Sequence, residues 1–264
     1  MDIFKKHIEI IKNSDFNFHN PNKFGKKFND VKLNKEILIT IDDAFKSFYL
    51  EAWPYLKINK IPFILFVSTQ PVGKNGYMTW EQIREIEKEN FALIGHHSHS
   101  HDYLIDETNE QFIFDIENAN KIFLKELGYI PKLFSYPFGE YSKFMRDYIS
   151  ENFEFAFGQH SGVIDPTKDF LELPRFPINE KYGELKRFKS ILQTLPFPYK
   201  SIKPENRYVM SSDNPPEIEI TFFENLINIK NITCYSNEGN VWRKSDIKLI
   251  NENKVIILPK EKFK

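Results

Sequence analysis

An α/β fold built on a parallel sheet is predicted by two features of this 264-residue sequence. Short apolar runs rich in β-branched residues alternate regularly with longer segments whose apolar residues recur at helical spacing. Strands separated by helices pair in parallel through right-handed crossovers, which build either an open sheet or a barrel. We therefore expect functional side chains at the carboxyl ends of the strands.

The alternation starts with an amphipathic helix in MDIFKKHIEIIKNSDF and runs through the first two thirds of the chain. The predicted strands are EILITID, PFILFVS, FALIG, KLFSYP and FEFAFG. Helices are predicted in AFKSFYLEAWPYLKIN, TWEQIREIEKEN, NEQFIFDIENANKIFLKELG, near residues 141–150 and, after LPRFPIN, in YGELKRFKSILQT. Thr79 with Gln82 indicates a capping box at a helix start, and Gly128 indicates a helix end.

A different pattern begins near LPFPYKSIKPENRY, where prolines end the helical segments. The segments EIEITFF, NITCYS, DIKLI and KVIILP are predicted to be strands joined by polar loops. We therefore predict two domains, an α/β domain over residues 1–200 and a small β-rich domain or extension over residues 206–264.

Composition and charge limit the classes of partner. The 36 basic and 37 acidic side chains give a net charge of -1, which provides no general attraction to nucleic acid or to an anionic membrane. The single Cys234 excludes an internal disulfide framework. No segment has the ~20 consecutive apolar residues of a membrane span, and the first helix lacks the apolar core of a signal peptide. We expect a cytoplasmic protein from the chain as it stands, or an exported one if its N-terminus is incomplete.

Four histidines occupy six consecutive positions in IGHHSHSH, directly after a predicted strand. In an extended segment, His97 and His101 would stand about 13 Å apart and could not share a metal ion. In a helical turn they would lie on one face, as a pair of ligands, while His96 and His99 would point elsewhere. The alternative is a group of surface or core histidines beside a strand end.

Two carboxylates, Asp42 and Asp43, stand together at the end of the predicted strand EILITID. Ionised carboxylates at the end of a buried strand are costly unless a cation or hydrogen-bond donors neutralise them. An open zinc site commonly uses three protein ligands, so one aspartate could complete a site begun by two histidines. The alternative is a polar cap at the start of the following helix.

The motifs TIDDAF, IGHHSHSH and FSYPFGEY, in this order, resemble those of the polysaccharide deacetylases, the carbohydrate esterase family 4 or NodB-homology domain. The resemblance covers roughly residues 37–200. It implies a distorted (β/α) barrel and N-acetylated hexosamines in polysaccharide as substrate. It also implies that Asp43, His97 and His101 bind a divalent metal, most simply zinc, although cobalt or nickel suits the same ligands.

The resemblance further implies that Asp42 is the general base and that the backbone N–H of Phe138 helps to bind the oxyanion. Many members carry an arginine at the position of Ser135, and Arg175 in LPRFP is the candidate replacement here. The family's final Leu-x-x-His motif is missing, and His160 is the only histidine downstream of the cluster that could act as the acid.

The expected function is therefore a metal-dependent polysaccharide (N-acetylhexosamine) deacetylase, a hydrolase acting on carbon–nitrogen bonds other than peptide bonds. Its partner would be an N-acetylated polysaccharide or oligosaccharide of the cell surface or extracellular space. Two alternatives stay open: a catalytically silent glycan-binding protein, suggested by the missing acid motif, and a hydrolase of a small non-sugar amide.

Overall fold

The computed structural model describes residues 1–25, 35–206, 209–223 and 229–263, which form two compact units, Met1–Leu195 and Pro196–Lys264. The division into domains over residues 1–200 and 206–264 stays a prediction. Residues 207–208, 224–228 and 264 of the predicted C-terminal domain lie outside the described residues. None of the helices in the described part is long and apolar enough to cross a membrane.

Strands and helices alternate along the first unit, as the sequence predicts. They are α1 (Asp2–Lys12), β1 (Asn17–Phe18), β2 (Glu36–Ile37), β3 (Ile39–Ile41), α2 (Trp53–Asn59), β4 (Phe63–Val67), α3 (Trp80–Glu87), β5 (Ala92–His96), α4 (Asn109–Leu127), β6 (Leu133–Ser135), α5 (Lys143–Asn152), β7 (Phe155–Phe157) and α6 (Leu185–Ile191). Two predicted elements differ: EILITID is divided between β2 and β3, and a π-helical stretch, Phe48–Ala52, precedes α2.

The central sheet has five parallel strands in the order β3-β4-β5-β6-β7 and curls into a half-barrel, which confirms the predicted α/β class. Every residue of β4 is buried, as expected for a parallel strand covered on both faces. The register between β4 and β5 aligns Val67 with His96. The two strands therefore end level, and the residues that follow them meet at one edge of the sheet.

The helix signals of the sequence act as predicted. Thr79 and Gln82 form a capping box at the start of α3, and Thr108 and Gln111 form a second one at the start of α4. Gly128 ends α4 with a φ of 83°, a left-handed conformation that glycine adopts without steric cost. These ends fix the lengths of the two helices that follow β4 and β5 in the chain.

The second unit consists of β8 (Tyr199–Lys203), β9 (Ile218–Phe222), β10 (Tyr235–Glu238), β11 (Val241–Lys244), β12 (Asp246–Asn251) and β13 (Lys254–Leu258). Strands β12-β13-β9-β8 form an antiparallel sheet, and β10 and β11 form a hairpin, so the predicted β-rich appendage is confirmed. The sequence analysis missed β8 and β11, YKSIK and VWRK. Their basic side chains mask the apolar signal, and β8 lies at a sheet edge, where lysine is common.

Candidate active site

Residues of the candidate site lie at the carboxyl ends of three parallel strands of the central sheet. Asp42 and Asp43 come after β3, His97 comes after β5, and Ser135 is the last residue of β6. One ligand atom from each of Asp43, His97 and His101 lies within 4.8 Å of the other two. The structure thus brings these three residues together as a possible metal-binding triad.

His97 is held in the orientation that a metal ligand requires. Its imidazole is fully buried, and Nδ1 donates a hydrogen bond to the Ser135 carbonyl oxygen at 2.6 Å. This bond leaves the Nε2 lone pair available, and burial keeps the imidazole neutral by lowering the pKa of His97. Among the described residues, buried Nε2 has no hydrogen-bond partner, and it lies 3.5 Å from Asp43 Oδ1.

His101 and Asp43 complete the triad. His101 Nε2 lies 3.0 Å from the same Asp43 Oδ1. Burial acts to lower the pKa of His101, but the hydrogen bond and charge of Asp43 outweigh it and raise that pKa. Two imidazole nitrogens and one carboxylate oxygen converge here, and one of these nitrogens, the buried His97 Nε2, has no hydrogen-bond partner among the described residues. This set of atoms fits an open divalent-metal site.

The segment between the two histidines is a loop and not the helical turn that would have explained their pairing. No helix covers residues 97–103, and Ser98 and His101 have φ values of 66° and 59°. The backbone N–H of His101 donates to Ser98 Oγ at 3.2 Å, which closes a tight turn. The pairing of His97 with His101 therefore depends on left-handed backbone conformations that no periodicity in the sequence indicates.

The other two histidines of the cluster do face elsewhere. His96 is buried among phenylalanines, its Nδ1 accepts the Ser98 N–H at 3.1 Å, and burial lowers its pKa to about 3. His99 Nδ1 lies 2.8 Å from Thr69 Oγ1, beyond the end of β4. Both histidines contribute to the shape of the loop and lie outside the triad.

Arg175, the candidate replacement for the family's arginine, forms an ion pair with Asp42. Nη1 lies 2.8 Å from Asp42 Oδ1 and Nη2 lies 2.9 Å from Oδ2, a bidentate arrangement. Burial acts to raise the pKa of Asp42, but the Arg175 guanidinium, helped by His97 and His101, outweighs it and holds that pKa below its usual range. Asp42 Oδ2 is also 4.0 Å from His97 Nε2, so the ionised carboxylate lies beside the triad.

Three further hydrogen bonds fix the Arg175 side chain. Nε donates to the Gly158 carbonyl at 2.7 Å, Nη1 to Thr40 Oγ1 at 3.1 Å and Nη2 to Ser135 Oγ at 2.9 Å. Ser135, at the position where the family often has arginine, therefore accepts a hydrogen bond from the arginine that comes from a later segment. Leu173, two residues before Arg175, pairs in parallel with Phe157 of β7, which brings that segment to the sheet.

Of the two remaining predicted residues, Phe138 lies beside a histidine of the triad and His160 lies outside the triad. The Phe138 ring is 4.8 Å from that of His101, and its backbone has a φ of 57° within a short 3-10 turn. His160 is exposed and does not belong to the triad. Its carbonyl accepts the N–H of Arg175, and its Nδ1 is so close to Gly158 that a Cβ there would lie 2.8 Å from it.

Asp115 on α4 is a site residue that the sequence analysis missed. Its buried carboxylate accepts the backbone N–H groups of His99 and Ser100. A signal was present, because Asp115 falls on the same helix face as the buried Phe112 and Ile116. A carboxylate on the core-facing side of a helix must find hydrogen-bond donors in the interior.

Comparison with known proteins agrees with this geometry. A family model described as polysaccharide deacetylase matches residues 30–153. The poly-β-1,6-N-acetyl-D-glucosamine N-deacetylase of Staphylococcus aureus is 23% identical over 192 residues, which are 67% of this chain and 66% of that protein. The chain spans between 50% and 66% of the length of the first curated relatives that it matches.

Two solved structures share the fold. The deacetylase PplD of Streptococcus pyogenes superimposes with a TM-score of 0.65 at 20% identity, covering 73% of this chain and 85% of PplD. IcaB from Ammonifex degensii gives a TM-score of 0.64 at 24% identity, covering 72% of this chain and 88% of IcaB. The family model, the curated relatives and these structures all name polysaccharide deacetylases, and the likeness to the solved structures shows that the chain has the fold of these deacetylases.

Proposed function

We propose that this chain is a metal-dependent hydrolase that removes N-acetyl groups from N-acetylhexosamine units of a cell-surface or extracellular polysaccharide. The observation that carries the proposal is the buried, unpaired Nε2 of His97, which faces Asp43 and His101 next to the Asp42–Arg175 ion pair. The Staphylococcus aureus relative, whose name gives poly-β-1,6-N-acetyl-D-glucosamine as its substrate, supports the choice of sugar.

Asp43, His97 and His101 would hold a divalent cation, with zinc as the first choice and cobalt or nickel as alternatives. When bound there, such a cation supplies Lewis acidity, polarising the acetamide carbonyl and lowering the pKa of a water molecule. The hydrogen bond from His97 Nδ1 to Ser135 holds the imidazole in the tautomer that leaves Nε2 free for this task.

Asp42 would act as the general base. Its two oxygens are fixed by Arg175, so the carboxylate is ionised and oriented before substrate binds. It would accept a proton from the water that attacks the acetamide carbon. A new C–O bond forms, the C–N bond breaks, and the products are acetate and the free amine of the sugar.

Two other residues would complete the reaction. The backbone N–H of Phe138 would donate to the oxygen that becomes negative during attack, and His160 would give a proton to the departing amine. Arg175 donates hydrogen bonds to the carbonyl oxygens of His160 and Gly158. Because Arg175 also pairs with Asp42, these bonds connect the segment of His160 to the general base.

Exposed aromatic rings near the triad favour a sugar polymer over a small non-sugar amide. Phe45, two residues after the ligand Asp43, lies 5.1 Å from the ring of Tyr77 and is 42% exposed. Phe138, in contact with His101, lies 5.4 Å from Tyr103, and both rings are more than 40% exposed. Exposed rings of this kind offer apolar surface to the faces of sugar rings on either side of a reacting unit.

Acetate release from N-acetylglucosamine oligomers tests the proposal. Purified protein is stripped of metal, reloaded with zinc or cobalt, and assayed on β-1,6-linked and β-1,4-linked oligomers. We expect release that requires metal and that Asp42→Asn abolishes. Asp102→Asn, which changes an exposed aspartate of the histidine loop, is the matched control and is expected to retain activity.

Metal binding is measured separately from activity. His97→Gln removes the buried ligand nitrogen and should lower zinc affinity by at least about 10²-fold. Protein that binds zinc and oligosaccharide but releases no acetate would refute the hydrolase and would instead support a silent glycan-binding protein. Release of acetyl groups only from small non-sugar amides would refute the polysaccharide as substrate.

A further inference from the structure

Two backbone N–H groups in the middle of the loop that carries His97 and His101 are held by one carboxylate from outside the loop. The backbone N–H of His99 donates to Asp115 Oδ1 at 2.7 Å, and that of Ser100 donates to Oδ2 at 2.9 Å. These two residues lie in the middle of the loop between His97 and His101. Each oxygen of Asp115 therefore fixes one of two successive peptide groups between the ligands.

The loop conformation needs such external support. A helical turn would stabilise itself by its own backbone hydrogen bonds, but here Ser98 and His101 adopt left-handed φ values of 66° and 59°. A left-handed conformation costs a residue other than glycine roughly 1–2 kcal/mol. The conformation is retained because surrounding groups fix it, and Asp115 holds two of the N–H groups that the loop cannot satisfy internally.

Asp115 itself has no evident reason to be buried apart from this loop. It is 7% exposed on the core-facing side of α4, and in the described part of the chain it forms no ion pair with lysine or arginine. A buried carboxylate is tolerated when several hydrogen bonds satisfy it, and two charge-assisted bonds to backbone N–H groups do so here. The buried carboxylate and the strained loop thus stabilise each other.

On the other side, the end of β4 fixes the same loop. Ser68 Oγ donates to the His97 carbonyl at 2.7 Å, and the Gln70 N–H donates to the His99 carbonyl at 2.9 Å. These bonds hold carbonyl groups, whereas Asp115 holds N–H groups. Removal of the carboxylate would release the N–H side of the loop while its other attachments remain, so the expected effect is local displacement rather than unfolding.

We propose that Asp115 is a positioning residue for the metal site, acting through the backbone of His99 and Ser100 on the placement of His97 and His101. The proposal rests on the metal-dependent function proposed above. Residues that orient metal ligands without touching the metal commonly contribute about 10- to 100-fold to metal affinity. Asp115 would act in the same way, but it lies on a helix and hydrogen-bonds to the backbone between the ligands rather than to their side chains.

Asp115→Asn is the sharpest test, because it keeps the size of the side chain and one acceptor oxygen. The amide nitrogen replaces the other acceptor and would face a backbone N–H, donor against donor. We expect zinc affinity, measured by competition with a chelator, to fall about 10- to 100-fold. The visible spectrum of the cobalt-loaded protein should also change, because cobalt reports the geometry of its ligands. Asp102→Asn is the control and should leave affinity and spectrum unchanged.

Controls for folding separate the possible outcomes. Circular dichroism and thermal melting of the metal-free proteins show whether Asp115→Asn retains the fold, and Asp115→Glu, which keeps the charge but moves both oxygens by a methylene, serves as the second variant. If the folded variants bind zinc with the affinity of the unchanged protein and give the same cobalt spectrum, the positioning role of Asp115 is refuted, while the proposed metal-dependent function still stands. No zinc binding by the unchanged protein would overturn both this inference and the metal-dependent function.

Discussion

Replacement of Arg175 should strongly impair catalysis while Asp42 and the three triad residues are all still present. Its side chain donates five hydrogen bonds, two to Asp42 and one each to Ser135, Thr40 and the Gly158 carbonyl. Arg175→Ala removes all five and leaves the Asp42 carboxylate without its counter-ion. Arg175→Lys keeps the charge, but an ammonium group cannot form the planar two-point contact.

The geometry sets the expected magnitudes. Breaking a buried pair by removing one partner costs about 3–5 kcal/mol, and the lower end applies here because 20% of the Asp42 side chain is exposed. We expect Arg175→Ala to lower the free energy of unfolding by about 3 kcal/mol. A general base displaced by about 1 Å loses about 10²-fold in rate, so kcat/KM should fall by that factor or more. Arg175→Lys should lie between wild type and Arg175→Ala in both measurements.

Urea unfolding followed by tryptophan fluorescence, to which Trp53 and Trp80 of the first unit and Trp242 of the second contribute, gives the stability, and acetate release gives kcat/KM. Arg146 offers a matched control, because it also pairs with aspartates, Asp147 on the same helix α5 and Asp169 in a later segment, and neither belongs to the candidate site. Arg146→Ala should lower stability by about 1 kcal/mol without changing kcat/KM. Equal kcat/KM for Arg175→Ala and the unchanged protein would refute the role of Arg175 in orienting Asp42.

Two further predictions concern stability. His7 donates from Nε2 to the Gly183 carbonyl, and burial lowers the pKa of His7. As the pH falls, His7 is therefore protonated in the unfolded chain at a higher pH than in the folded protein, which favours unfolding. Between about pH 7 and pH 5 the protein should lose more stability in thermal melts than the His7→Gln variant loses. The difference is at most about 1.4 kcal/mol per pH unit. In urea unfolding, Gly139→Ala should lower the free energy of unfolding more than Gly128→Ala does. Both glycines have a left-handed φ, 75° at Gly139 and 83° at Gly128. A Cβ at Gly139 would lie 2.3 Å from a backbone nitrogen, whereas a Cβ at Gly128 would meet nothing within 4 Å. We expect about 1 kcal/mol for Gly128→Ala and at least about 2 kcal/mol for Gly139→Ala.

Each stability prediction has a result that contradicts it. Parallel pH profiles for the protein and His7→Gln would mean that His7 has the same pKa folded and unfolded. Equal losses for the two glycine variants would mean that the loop at Gly139 moves freely to admit a methyl group. Circular dichroism of each variant at neutral pH first establishes that the comparison is between folded proteins.

Most elements of the first unit could be predicted from local pattern, because period and caps are properties of short segments. The unbroken apolar run of β4 and the capped, 19-residue α4 were found within a residue or two of their ends. The π-helical stretch before α2 was not found, since its composition is that of an ordinary helix. Strands β8 and β11 were missed because basic residues occupy much of their length.

The sequence by itself determined which residue types stand at the strand ends, and its resemblance to the polysaccharide deacetylases identified Asp43, His97 and His101 as the candidate metal ligands. The tertiary structure decided how they meet. Asp42 and Arg175 are 133 residues apart, and His97 takes its orientation from a carbonyl 38 residues away. The left-handed turn after His97 depends in the same way on Asp115, from the following helix. Local pattern encodes period and caps, whereas these contacts exist only once distant strands pair and bring their ends to one edge of the sheet.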